Sequence, residues 1–208
     1  TLADNNMYKE KLKYGKLMRS QTIEMVLKNI NLKYDQEQIH TERVSQYCEA
    51  IAREMGLSEK DVQEIKTAGV LHDIGKIMIS PELLNKPGRL TEEEFEIIKR
   101  HPETSYQILK SADEYASVAE AVLYHHERVD GKGYPEGLAG EQIPLYARII
   151  SVADAFEAMT AKRSYHKPKT KEEAVVELQR CAGTQFDAGI VAVFVERVLQ
   201  DRMQEKVD

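Results

Sequence analysis

The run His40-Thr41-Glu42-Arg43-Val44-Ser45-Gln46-Tyr47-Cys48-Glu49-Ala50-Ile51-Ala52-Arg53-Glu54-Met55 places Val44, Cys48, Ile51 and Met55 four, three and four residues apart. That spacing marks one face of an α-helix, and His40 extends the same face by one turn. The pattern continues in both directions. Met18, Ile23, Val26, Leu27 and Ile30 predict one long amphipathic helix over about 12–30. Ser58 with Asp61 resembles a capping box opening a helix through Val62, Ile65, Gly69 and His72. Thr91 with Glu94 opens another, through Phe95 and Ile98, which Pro102 is expected to end or kink just after His101. Val118 and Val122 lead into His125 and His126. Pro144 suits the first position of a helix carrying Ile149, Val152, Ala153, Phe156 and Met159. Thr170 with Glu173 caps a helix through Val175, Leu178 and Cys181, and a last helix carries Val191, Phe194 and Val198. No segment alternates in the manner of a strand, so the expected fold is all-α.

One stretch breaks the pattern. Between Glu127 and Pro144 lie four of the chain's 11 glycines, with Pro135 among them. A long irregular loop inside a compact domain is usually functional.

Composition narrows the classes. The chain has 208 residues, enough for one domain with a sizeable core. Hydrophobic residues make up 42% and charged residues 31%, which argues for a globular protein and against disorder. Twenty-nine basic against 35 acidic residues give a net charge of −6, the wrong sign for a protein that coats a DNA or RNA duplex. A small anionic substrate stays open, because a local site can oppose the net charge. No apolar run approaches the ~20 residues of a membrane span, and no signal peptide is visible. Cys48 and Cys181 lie far apart in helical patterns and read as reduced, buried thiols of a cytoplasmic protein. The chain begins at Thr1, which suggests a piece of something longer.

The six histidines carry the chemistry: His40, His72, His101, His125, His126 and His166. His40, His72 and the His125/His126 pair continue apolar stripes and should point inward. Burying several imidazoles without partners costs a few kcal/mol each, on the order of any unsatisfied polar group. A shared metal ion removes that cost, since neutral imidazole ligates divalent first-row metals. Asp73 stands beside His72 and can bridge two ions. Asp154 sits in the otherwise apolar run Ile150-Ser151-Val152-Ala153-Asp154-Ala155-Phe156 and needs a partner: a cation, an ion pair with Arg148, or a helix N-terminus that it caps. Histidine with carboxylate favours a divalent transition metal, Fe, Mn, Ni, Co or Zn, over an all-oxygen Mg or Ca cage, and the absence of cysteine ligands weighs against a structural zinc site.

The string His72-Asp73-Ile74-Gly75-Lys76 resembles the HD-x-G-K motif of HD-domain phosphohydrolases. His125-His126-Glu127-Arg128-Val129-Asp130-Gly131-Lys132-Gly133-Tyr134-Pro135 resembles the HHExxDGxGYP signature of the HD-GYP subfamily. The likeness runs from about His40 to Phe194. It implies an HD-domain helical bundle over 33–208, a metal centre and cyclic di-GMP phosphodiesterase activity. It also implies that His40, His72, Asp73 and Asp154 hold one ion, and that Asp73, His101, His125 and His126 hold the other. Lys76 matches a phosphate-contacting lysine, serving in catalysis with Asp73. Arg163, His166, Gly131 and Tyr134 are the expected substrate-binding residues. A hydroxide held between the ions would attack phosphorus in line with the leaving 3′ oxygen, and the expected product is linear pGpG. The alternatives are a non-catalytic cyclic-dinucleotide-binding module and an HD-type hydrolase of another nucleotide; the full set of seven ligands and the intact GYP string weigh against them.

Three positions depart from the family pattern. Gln36 stands where members with a third metal carry Glu, Ser105 where Gly is frequent, and Val129 where an aromatic is frequent. At the other end, Ala3-Asp4-Asn5-Asn6-Met7-Tyr8-Lys9-Glu10-Lys11 resembles the close of a GGDEF-like domain. Residues 1–32 are then the remnant of that upstream partner domain, joined through a long connector helix. The likeness leaves a homodimer open and calls for no membrane contact.

Overall fold

The computed structural model describes residues 21–29, 35–161 and 168–200, with the backbone alone at 35–37. The opening residues of the connector, the GGDEF-like segment, the side chain of Gln36, and Arg163 and His166 therefore lie outside the described residues.

The regular structure of the described chain is helical, and residues 127–139 form the irregular loop the sequence predicts. Helix α1 (21–29) buries Ile23 and rests Val26 and Leu27 on the core. Then come α2 (Asp35–Glu54), α3 (Glu59–Leu71), a 3₁₀ turn (Ile74–Met78), α4 (Pro81–Leu84), α5 (Glu92–Ile98), α6 (His101–Lys110) and α7 (Ala119–Leu123). A 3₁₀ turn (Gly140–Gln142) leads to α8 (Leu145–Thr160), α9 (Lys171–Cys181) and α10 (Ala188–Val193), which runs into a π-helical turn (Phe194–Val198). Among the described residues only two isolated bridges, Asp130 with Ala139 and Ala182 with Phe186, have strand character.

The caps act as the sequence predicts. Ser58 accepts the Asp61 N–H, and Thr91–Glu94 and Thr170–Glu173 form complete reciprocal boxes. Pro102 does the reverse of what the sequence suggested. The preceding helix already stops at Ile98, and Pro102 lies in the first turn of α6, where a missing N–H costs nothing. Pro144 caps α8 from just outside rather than occupying its first turn.

The stripes converge on one core. Helix α2 packs along α3 and α8, and α7 closes on α8 and α6. At the centre Tyr47, Phe156 and Phe194 meet edge to face, with centroids 5.4, 5.4 and 5.1 Å apart. Both cysteines are free and buried. Phe156 is fully buried and lies two residues beyond Asp154, so the packing that holds the core together also orients the carboxylate. Phe156→Ala is expected to destabilise the fold by about 3–5 kcal/mol, read by chemical denaturation.

Candidate metal centre

Five elements deliver the donors. His40 comes from α2, His72 and Asp73 follow α3, His101 opens α6, His125 and His126 follow α7, and Asp154 lies on α8. His40, His72, Asp73, His101 and His125 are buried.

Three of the imidazoles are fixed by one device. The last carbonyls of a helix lack intrahelical partners. His72 donates its Nδ1–H to the Gly69 carbonyl (2.8 Å), His101 to Ile98 (2.7 Å) and His125 to Val122 (2.6 Å). Those carbonyls lie in the closing turns of α3, α5 and α7. A carbonyl can only accept, so Nδ1 carries the proton and Nε2 turns a lone pair into the site. His40 differs: its Nδ1 meets the buried carboxylate of Glu157, a residue the sequence reading passed over. Glu157 follows Asp154 by three residues on a mostly apolar helix, so the signal was present.

The Nε2 atoms converge on Asp73. Its Oδ1 lies 3.1 Å from His101 Nε2, and its Oδ2 lies 3.2 Å from His72 Nε2 and 3.7 Å from His40 Nε2. None of these contacts is a hydrogen bond: the Nε2 atoms of His72, His101 and His125 and Oδ1 of Asp73 are buried without such a partner. Acceptors facing one another at that distance repel unless a cation lies between them. Two donors bound ~2.1 Å from one ion and roughly 90–110° apart would themselves be ~3.0–3.4 Å apart, which is this spacing. The donors fall into two groups, His40–His72–Asp73 and His101–His125–His126, each with ligand atoms within 4.8 Å of one another. Asp154 joins the first, its Oδ1 3.3 Å from His40 Nε2 and 3.9 Å from His72 Nε2. Arg148, another partner considered for it, pairs with Asp187 at 2.6 Å. The residues present therefore fit a pair of cations.

The protein's own charges express the same demand. Burial works against a charged His40, but Asp154, Asp73 and Glu157 outweigh it and hold the imidazolium up to about 11. Burial and the neighbouring His101 push His126 down to about 3, and burial with His126 holds His125 well below the ordinary range. Burial opposes the charge of Asp73 and Asp154 too, yet the cationic groups around them keep both carboxyls far below the usual range. Lys76 Nζ lies 2.6 Å from Asp73 Oδ2, close to the shared carboxylate.

Two features hold the geometry. A Cβ on Gly75 would meet the His101 carbonyl at 2.1 Å and Ser105 N at 2.7 Å, so only glycine lets the turn after Asp73 approach α6 this closely. Ser105, which departs from the family pattern, joins the two: its hydroxyl accepts the Gly75 N–H (2.8 Å) and donates to the His72 carbonyl (3.1 Å). The glycine-rich loop is built in the same way. A Cβ on Gly133 would stand 2.4 Å from Glu127 Cα. Buried Glu127 accepts the N–H groups of Glu136 (2.7 Å) and Gly137 (2.9 Å) through one oxygen. Gly131 turns the loop beside Arg128, and the Tyr134 ring lies 4.9 Å from His126.

These features define a helical domain with two histidine–carboxylate donor clusters sharing one aspartate. The chain belongs to the HD domain family, whose model matches residues 24–190 and which is a family of metal-dependent hydrolases. A cyclic di-GMP phosphodiesterase of Thermotoga maritima is 46% identical over 159 residues, covering 76% of this chain and 43% of its own length. The 3′3′-cGAMP-specific phosphodiesterase 2 of Vibrio cholerae is 42% identical over 76% of this chain and 30% of its own. The chain thus spans less than half the length of these relatives. Among solved structures, Bd1817, an HDG"Y"P protein from Bdellovibrio bacteriovorus, superposes with a TM-score of 0.65 at 21% identity over 92% of this chain and 64% of its own.

Asp73→Ala removes the one group that faces both clusters. The variant is expected to lose its bound metal, measured by elemental analysis, while keeping its helical circular-dichroism signal. Two metal equivalents retained per chain would refute the shared role.

Proposed function

We propose that the chain is a binuclear phosphodiesterase of cyclic di-GMP. The observation that carries this reading is Asp73, with one carboxylate oxygen facing each histidine cluster. His40, His72, Asp73 and Asp154 would hold one divalent transition-metal ion, and Asp73, His101, His125 and His126 a second, with Fe, Mn, Ni, Co or Zn the candidates. Such a pair supplies Lewis-acid polarisation of the phosphodiester and an acidified water. The protein's share is orientation and charge. The backbone carbonyls fix the Nδ1 protons of His72, His101 and His125 and turn their Nε2 atoms into the site, and Glu157 orients His40. Lys76, 15% exposed beside Asp73, supplies positive charge for the phosphoryl oxygens as negative charge develops there. Arg163, His166, Gly131 and Tyr134 are the proposed substrate contacts. The similarity to relatives named for cyclic di-GMP and 3′3′-cGAMP supports a cyclic dinucleotide as substrate.

In this reading residues 33–208 form the HD-GYP domain, and 1–32 are the C-terminal remnant of an upstream GGDEF-like domain with its connector helix, in a cytoplasmic signalling protein. Among the described residues no helix is long and apolar enough to cross a membrane.

A panel of cyclic di-GMP, 3′3′-cGAMP and nucleoside monophosphates, with added Mn or Fe, tests the assignment. Cyclic di-GMP should be cleaved and the monophosphates left intact; the opposite ranking would overturn it. Gln36 offers a neutral carboxamide where a third ion would need a carboxylate, so the protein should bind two metals per chain and accumulate pGpG rather than GMP. Three metals, or GMP appearing as fast as pGpG disappears, would refute that reading of Gln36. Lys76→Ala should keep its metal and lose ~10²-fold in kcat, the scale of removing one oxyanion donor. Activity within about threefold of wild type would remove Lys76 from the phosphate site.

A further inference from the structure

Beside the donor clusters lies a cavity of about 340 Å³, touched by only one of the donors, His126. Two of its walls are aromatic. Phe95, from α5, meets Tyr134, from the glycine-rich loop, edge to face at 6.4 Å. Phe95 is 45% exposed, although a ring of that size ordinarily packs inward. Lys99, one turn beyond Phe95, holds its Nζ 5.7 Å from the Phe95 centroid and 5.5 Å from that of Tyr134.

Three of the four charged side chains in the lining are cationic, and the fourth, Glu127, is anionic. Arg128 and Lys132 line it with Lys99. Arg128 is engaged by Asp130 through two contacts of 3.0 and 2.7 Å. Glu127 is the one carboxylate in the lining, and one of its oxygens is already taken by two backbone N–H groups. Lys99 pairs with Glu96 at 2.8 Å, but that carboxylate is 62% exposed and such a surface pair is weak. Aromatic faces with two lysines beside them suit a ligand that is both planar and anionic, and the volume is roughly that of one nucleotide.

The location selects which nucleotide. The Tyr134 ring that walls the cavity lies 4.9 Å from the His126 ring, tilted 32° to it. A substrate whose phosphodiester lies at the donor clusters would extend its neighbouring nucleotide past His126 into this space. We propose that the cavity is the subsite for the nucleotide beyond the cleaved phosphodiester, with its purine packed on Tyr134 and Phe95 and its phosphate met by Lys99 and Lys132. This rests on the cyclic-dinucleotide reading above. It assigns substrate binding to Phe95 and Lys99, which lie outside both signature motifs.

Binding and turnover together test it. Calorimetric titration of the metal-loaded protein with guanosine 5′-monophosphate should give a Kd weakened ~10-fold in Lys99→Ala, while Lys99→Arg, which keeps charge and stacking, stays within about threefold of wild type. Phe95→Leu should also weaken the affinity. In turnover, Lys99→Ala should lose at least about fivefold more kcat/KM on cyclic di-GMP than on bis(p-nitrophenyl) phosphate, which has no second nucleotide. Equal losses on the two esters, or a GMP affinity that Lys99→Ala leaves unaltered, would overturn the subsite. If the wild type binds GMP through Lys99 yet cleaves no cyclic dinucleotide, the subsite stands and the substrate reading fails.

Discussion

A carboxylate buried among imidazole lone pairs is the constraint around which this molecule is arranged. Asp73 is 6% exposed, and both of its oxygens face nitrogen atoms whose ring protons are committed elsewhere. With protein atoms alone the arrangement is resolved only in part, by a proton on His40 and by Lys76 against Oδ2. A buried anion needs cationic partners of good geometry, or its desolvation goes uncompensated. The pair of metal ions proposed above would meet that need. Cation binding and the integrity of this part of the core are therefore one problem, as in other proteins whose metal ligands cluster in the interior.

The histidines sit where they do because helix ends have carbonyls to spare. A ligand in mid-helix must find an orienting partner among side chains, and His40 does so with Glu157, which comes from α8. A ligand just past a helix terminus can use the carbonyl three residues back. His72, His101 and His125 all do this, and each contact both satisfies an orphan group and sets the tautomer. Short helices suit the purpose. Helices α5 and α7 have seven and five residues, too few to be stable alone, yet each ends where an imidazole is needed.

Much of this was legible in the residues. The stripe from Val44 to Met55 located α2 and put His40 on its buried face, and the capping pairs marked three helix starts. Ser105, Glu157, Phe95 and Lys99 were harder to see, for different reasons. Ser105 acts on groups about thirty residues away, and no local pattern encodes that contact. Phe95 read only as a residue of the helix opened by Thr91 and Glu94, because helical spacing does not say what covers a face. Pro102 misled because proline both ends helices and begins them, and which of the two applies depends on where the preceding helix has already stopped. The family likeness named the histidines and carboxylates that the fold brings together, while the close approach at Gly75 and the arrangement around Asp73 are tertiary and have no local pattern in the sequence.

The hydroxyl of Ser105 ties the turn that carries Asp73 to the helix that begins with His101. Gly75, without a side chain, lets the two backbones touch there. A displacement of α6 that drew His101 out of its cluster would pull on the same turn and tilt Asp73 away from His40 and His72. The two halves of the centre are thus joined through one hydroxyl and one glycine. If the centre holds the two ions proposed above, a chelator that strips one would loosen the grip on the other through this link.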